Sequence, residues 1–143
     1  MAEPQTTEAF APFRGHQTWY RVTGDLRAQK KPLVVLHGGP GASHDYTDRM
    51  KLIAKQGRAV VHYDQLGCGK STHLKDKGVD FWTVQLFLDE LENLKAHLGV
   101  QNGYHLLGQS WGGMLGAEHG ATRPTGLKSL TISDSPASME LWM

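Results

Sequence analysis

The sequence predicts an α/β protein: an open, mostly parallel sheet with helices on both faces. Three observations carry that expectation. Short apolar runs of strand length alternate with helical patterns. Glycine-rich stretches follow three of those runs. The chain of 143 residues is long enough for one domain with a real core and too short for two.

The elements follow in order. Residues 1–13, MAEPQTTEAFAPF, are polar and carry prolines, so they are expected to be a flexible N-terminal arm. HQTWYRV (16–22) is rich in aromatic and β-branched residues and reads as a strand. PLVVLHG (32–38) is a continuous apolar run, which marks a strand buried on both faces. From His44 to Gln56, Tyr46, Met50 and Ile53 recur at helical spacing, and Gly57 supplies a stop. RAVVHYD (58–64) is a second buried strand. Asp80 is the expected N-cap of a helix whose apolar stripe is Val84, Phe87, Leu88, Leu91, Leu94 and Leu98, with Gly99 ending it. YHLLGQ (104–109) is a third buried strand, followed by a helix of small residues from 111 to about 122, stopped by Pro124. LKSLTISD (127–134) is a further strand.

Composition excludes several function classes. Hydrophobic residues at 39% and charged residues at 20% describe a folded chain, not a disordered one. A formal net charge of +1 gives no basic field for nucleic acid or an anionic membrane. Cys68, the single cysteine, rules out an internal disulfide framework. The N-terminus lacks the basic and apolar regions of a signal peptide, and PLVVL is far short of a membrane span. A cytoplasmic protein is expected.

In open α/β sheets the chemistry sits at the carboxyl ends of the strands. HGGPGASH, DQLGCGKST and GQSWGG fall there. Gly108-Gln109-Ser110-Trp111-Gly112 is a G-x-S-x-G pattern between a strand and a small-residue helix, the setting of a nucleophile elbow. Ser110 is therefore the expected nucleophile, with the Trp111 N–H and the helix N-terminus facing developing negative charge. The bland alternative is a tight turn with a bystander serine. The glycines of His37-Gly38-Gly39-Pro40-Gly41 let backbone approach a ligand, and Pro40 stiffens the turn. The Gly39 N–H is expected to be the other oxyanion donor, with His37, Gly38, Pro40 and Gly41 supporting the loop. His37 precedes the nucleophile, so it is expected to orient the loop and not to act as base. His119, the histidine that follows Ser110, lies within the next helix and should point away from the hydroxyl.

GKST invites a phosphate-loop reading, but G-x-x-x-x-G-K-[ST] requires glycine where Asp64 stands. Asp64 is expected to accept hydrogen bonds from loop amides, beside Gln65. Cys68 lacks a histidine neighbour in sequence and reads as a structural thiol. The histidines form no metal-binding pattern.

The three motifs together resemble the prolyl aminopeptidase (proline iminopeptidase) and L-amino acid amidase family of α/β-hydrolases. HGGPG (37–41), DQLGCGKS (64–71) and GQSWGG (108–113) occur in the order of that family's motifs. The resemblance implies that residues 14–134 are the N-terminal half of a catalytic domain and that 135–143 begin a cap insertion. The cap and the C-terminal strands bearing the triad acid and base would then be absent. It implies a peptide or aminoacyl-amide substrate, an acyl-enzyme on Ser110, and no cofactor and no metal. A serine at 110 argues against the aspartate-nucleophile branches of the fold. The alternatives are an esterase or amidase of the same fold, a catalytically inactive fragment, or one half of a two-chain assembly. The partners expected are the substrate and a complementing C-terminal half or a second copy, with no nucleic acid and no membrane.

Overall fold

A computed structural model describes residues 3–142. Six strands make one sheet: β1 (Thr6–Phe13), β2 (His16–Thr23), β3 (Leu33–Leu36), β4 (Val60–Tyr63), β5 (Tyr104–Gln109) and β6 (Leu127–Ser133). Their spatial order is β1-β2-β4-β3-β5-β6. The strands β4, β3, β5 and β6 run parallel, whereas β1 and β2 are antiparallel to their neighbours. Helices α1 (Val84–Leu98), α2 (Trp111–Ala121) and α3 (Met139–Trp142) and a 3-10 segment (His44–Gln56) complete the fold.

The expected flexible arm over residues 1–13 is corrected. Residues 1 and 2 lie outside the described residues, but Thr6–Phe13 is a full strand paired with β2 from Thr6↔Thr23 to Phe13↔His16. The hairpin turn is the two residues Arg14 and Gly15, with φ of 49° and 77°. Positive φ at both positions is the turn whose twist matches paired strands. Ala11 and Phe13 point into the core while Glu8, Phe10 and Pro12 face outward. That period of two was present in the sequence, and Pro12 is tolerated because β1 is an edge strand. The sheet-bearing unit therefore begins before Arg14.

The central strands bury both faces. Val34 and Leu36 of β3 join Val61, Tyr63, Leu106, Leu91, Leu94 and Leu115 beneath α1 and α2. Leu33, Val35 and Val60 pack on the other face against Ala54, Met50 and Ile53 of the 3-10 segment. Alternating strand side chains create the two layers. In β5 only Tyr104, Leu106 and Gly108 are fully buried, and β6, at the sheet edge, is mostly exposed.

Two local expectations change. The N-cap of α1 is Thr83, whose hydroxyl accepts from Leu86 N at 3.1 Å, and not Asp80. Turn hydrogen bonds from Phe81 N to Gly78 O and from Thr83 N to Phe81 O delay the helix past Asp80. Gly99 ends α1 as expected, in the left-handed region at φ 71°. The stretch 44–56 is helical, but with three residues per turn. Thr47, Met50 and Ile53 then stack on one stripe, which rotates Tyr46 out of the core. Tyr46 is 50% exposed.

Candidate active site

The loops that leave β3, β4 and β5 at their carboxyl ends bring the three glycine-rich motifs together. Ser110 links β5 to α2 with φ 57° and ψ −121°. A serine rarely adopts this backbone conformation, which stores strain of order 1–3 kcal/mol. The surrounding backbone holds it there: Ser110 N donates to Ser133 O at 3.0 Å, and Ser110 O accepts from Gly113 N at 2.9 Å. Trp111 N–H is the first amide of α2 and has no intrahelical acceptor.

Small residues allow the turn. A Cβ on Gly112 would run into the Leu36 carbonyl, and one on Gly108 into the Gly112 carbonyl. Both obstacles are backbone, which cannot rotate aside. Gly112→Ala is expected to cost about 2 kcal/mol as an overpacked site. Urea unfolding checks this, and an unchanged midpoint would contradict the close approach of α2 to β3.

The HGGPG loop is fixed by its neighbours. His37 O accepts from Gln65 Nε2 at 2.9 Å, and His37 Nε2 accepts from Gln65 N at 3.0 Å. The proton of His37 is therefore on Nδ1, which donates to Gly38 O at 2.9 Å. Both ring nitrogens are committed inside the protein, and burial lowers the His37 pKa and keeps the ring neutral. His37 thus orients a peptide group and is not free to serve as base. With Gly38 O held by His37, the trans peptide turns the Gly39 N–H the opposite way. Gly39, Pro40, Ser110, Trp111, Met114, Pro136 and Met139 line a cavity of about 240 Å³. The three residues read as nucleophile and oxyanion donors thus share one cavity.

Gln65 also accepts from the Trp111 indole Nε1 at 2.9 Å, tying the loop after β4 to the elbow. Asp64 is fully buried and does not reach Ser110. Its oxygens accept from His44 N at 2.8 Å, His44 Nδ1 at 2.9 Å and Lys70 N at 2.9 Å. It holds the loop, as the sequence suggested. Cys68 is buried, and that burial pushes its thiol up to about 11, so it is no nucleophile near neutral pH. Pro40, Gly41, Leu66, Cys68, Trp82, Phe87 and Trp111 border a second, apolar cavity of about 420 Å³. His119 lies in the core, with Nε2 2.6 Å from the Tyr104 hydroxyl and Nδ1 3.5 Å from Glu92. Among the described residues no group of three His, Cys, Asp or Glu could hold a metal ion, and no helix is long and apolar enough to cross a membrane.

Two contributors, Tyr46 and Glu90, lie outside the motifs, and a third, Gln109, lies inside one without an expected role. Tyr46 places its hydroxyl between Gly38 and Gln109. Gln109 is the variable position of the elbow. Glu90 of α1 is fully buried, accepts from Thr18 Oγ1 at 2.6 Å and Leu66 N at 3.0 Å, and is pushed up to about 7 by burial. Its place between Phe87 and Leu94 on the apolar stripe was the available signal.

A strained serine on a strand-to-helix turn, facing a glycine loop from an earlier parallel strand, defines the α/β-hydrolase class. The chain belongs to the α/β hydrolase fold family, whose sequence profile matches residues 31–143. Among named relatives, it is similar to the proline iminopeptidase of Clostridium botulinum, 42% identical over 137 residues, covering 95% of this chain and 46% of that protein. It is likewise 46% identical over 133 residues to the proline iminopeptidase of Lactiplantibacillus plantarum, covering 92% of this chain and 45% of that one. Among solved structures it is similar to VinJ, with 57% identity and a TM-score of 0.94 over 97% of this chain and 47% of VinJ. The proline iminopeptidase of Mycobacterium smegmatis aligns with 53% identity and a TM-score of 0.90 over 95% of this chain and 46% of that one. The chain spans less than half the length of these relatives.

Proposed function

We propose that these residues form the nucleophile and oxyanion portion of a serine hydrolase that releases an N-terminal amino acid from peptides or aminoacyl amides. The observation that carries this reading is Ser110, held at φ 57° on the wall of a cavity that Gly39 and Trp111 share. The names of the relatives support the substrate class.

In this reading Ser110 Oγ attacks the carbonyl carbon of the N-terminal residue. The carbonyl oxygen becomes an oxyanion between the Gly39 and Trp111 N–H groups. A histidine base takes the serine proton and passes it to the leaving amine as the C–N bond breaks. Water then attacks the ester, returns its proton through the same base, and releases the free amino acid. Among the described residues Ser110 Oγ has no histidine partner, and His37 and His119 are committed elsewhere. In the proposed mechanism the base is supplied by polypeptide other than these residues. That same observation favours, as a second reading, a chain that is inert alone or half of a two-chain assembly.

A panel of aminoacyl-naphthylamides on the complete gene product tests the proposal. Release of naphthylamine from free N-terminal residues, proline among the best, and none from N-acylated analogues, is the expected outcome. Cleavage of simple esters with no aminoacyl amide cut would instead favour an esterase. The 143 residues in isolation are expected to leave all of these substrates intact.

A further inference from the structure

Three hydrogen bonds pin the two peptide groups that flank Gly38. Two come from motif residues, Gln65 Nε2 to His37 O and His37 Nδ1 to Gly38 O. The third does not. Gly38 N donates to the hydroxyl of Tyr46 at 2.5 Å, from the start of the 3-10 segment. A phenol has one proton, and here it goes to Gln109 Oε1 at 2.6 Å, which turns an oxygen lone pair toward Gly38 N–H. Gln109 directly precedes Ser110. One hydroxyl therefore joins the loop that carries Gly39 to the turn that carries Ser110 and Trp111. The three lie within one small volume: a Cβ built on Gly38 would fall 2.8 Å from the Tyr46 oxygen and 3.1 Å from Ser110 Cβ.

We propose that Tyr46 is a positioning residue for the oxyanion hole, its hydroxyl bridging Gly38 and Gln109 so that the Gly39 and Trp111 amides hold a fixed separation. This rests on the function proposed above. The bridge also decides between two neighbouring amides. Gly38 N–H is occupied by Tyr46, which leaves Gly39 N–H as the donor for the oxyanion. Without the hydroxyl, Gly38 N–H loses its acceptor and the Gly38–Gly39 unit can rotate. The consequence falls on the transition state, since preorganised donors act where charge develops and contribute little to ground-state binding.

The test uses Tyr46→Phe in the complete gene product. The ring is half exposed, so the change removes one oxygen without opening the core. Loss of a whole oxyanion donor lowers kcat about 10²–10³-fold, and misplacing one is expected to lower it about tenfold with KM nearly unchanged. Affinity for an aminoacyl boronate, which forms a tetrahedral adduct on serine, should fall by the same factor. Gln109→Met removes the acceptor that aims the hydroxyl and should act in the same direction. The double variant should lose no more than Tyr46→Phe alone, because both changes break one bridge. Unchanged kcat and boronate affinity in both single variants would overturn the proposal, as would a loss confined to KM or fully multiplicative losses. A Ser110→Ala control that still turns over would instead overturn the function on which it rests.

Discussion

Ser110→Ala in the complete gene product is expected to reduce kcat by about 10⁴–10⁶-fold while leaving substrate affinity nearly intact. The magnitude follows from the role: removing the nucleophile of a serine hydrolase removes the acyl-enzyme route, and only the oxyanion donors and substrate positioning remain. Ser110→Gly makes a second, independent statement. The backbone at φ 57° and ψ −121° is the first central position of a type II′ turn, where glycine is at home and serine is strained. Glycine should therefore abolish turnover and raise the thermal midpoint, with a gain of about 1 kcal/mol. A bystander serine in a tight turn would show the stability gain without the kinetic loss. Substantial activity in either variant would refute Ser110 as the nucleophile. A lower melting point for Ser110→Gly would refute the strain.

Much of this architecture was legible because it is written in local patterns. LVVL is apolar throughout and VVHY is broken only by the buried His62, because β3 and β4 are covered on both sides, and both strands were readable from their apolar runs. The elbow was readable because Gly108 and Gly112 are required by backbone contacts on either side of Ser110. The β1 hairpin was missed because its fully buried positions are only Ala11 and Phe13, with the small Ala9 half-buried before them, and its turn is Arg14-Gly15, a weaker signal than Asn-Gly. A period of 3.6 groups Tyr46 with Met50 and Ile53 on one helical face. Three residues per turn separates them, and that choice of helix is made by tertiary packing, not by propensity. The same substitution of period moved Tyr46 off that face and to the site. The roles of His37 and Gln65 could be suspected from their motifs. Which nitrogen of His37 carries the proton required Gln65 N and Gly38 O to be placed around it.

Glu90 yields the largest stability effect. Its carboxyl sits between β2, α1 and the loop after β4, accepting from Thr18 Oγ1 and from Leu66 N with both oxygens. Burial outweighs these donors, so the group is pushed up to about 7 from an ordinary value of 4.5. Below pH 4.5 the carboxyl is protonated whether the chain is folded or not, and it carries no ionisation penalty. Between 4.5 and 7 the unfolded chain releases the proton while the folded one keeps it, so stability falls as pH rises. Above 7 the loss is complete and amounts to about 3 kcal/mol. Histidines act with the opposite sign. Burial lowers His62 to about 4, so its contribution is lost as pH falls from 6.5 toward 4. The comparison of wild type with Glu90→Gln isolates the carboxyl from these. A neutral amide keeps an acceptor for Leu66 N–H and cannot ionise. Urea unfolding at pH 5 and pH 8 should show Glu90→Gln gaining on wild type by about 2.5 kcal/mol between the two, part of the loss having already occurred by pH 5, and parallel profiles would refute the buried, raised carboxyl. Leu66 N–H follows Gln65, which holds both His37 and Trp111, so the desolvation penalty of ionising this carboxyl falls beside the loop that carries the proposed oxyanion donors. The amide variant should therefore hold its kcat to higher pH than wild type does.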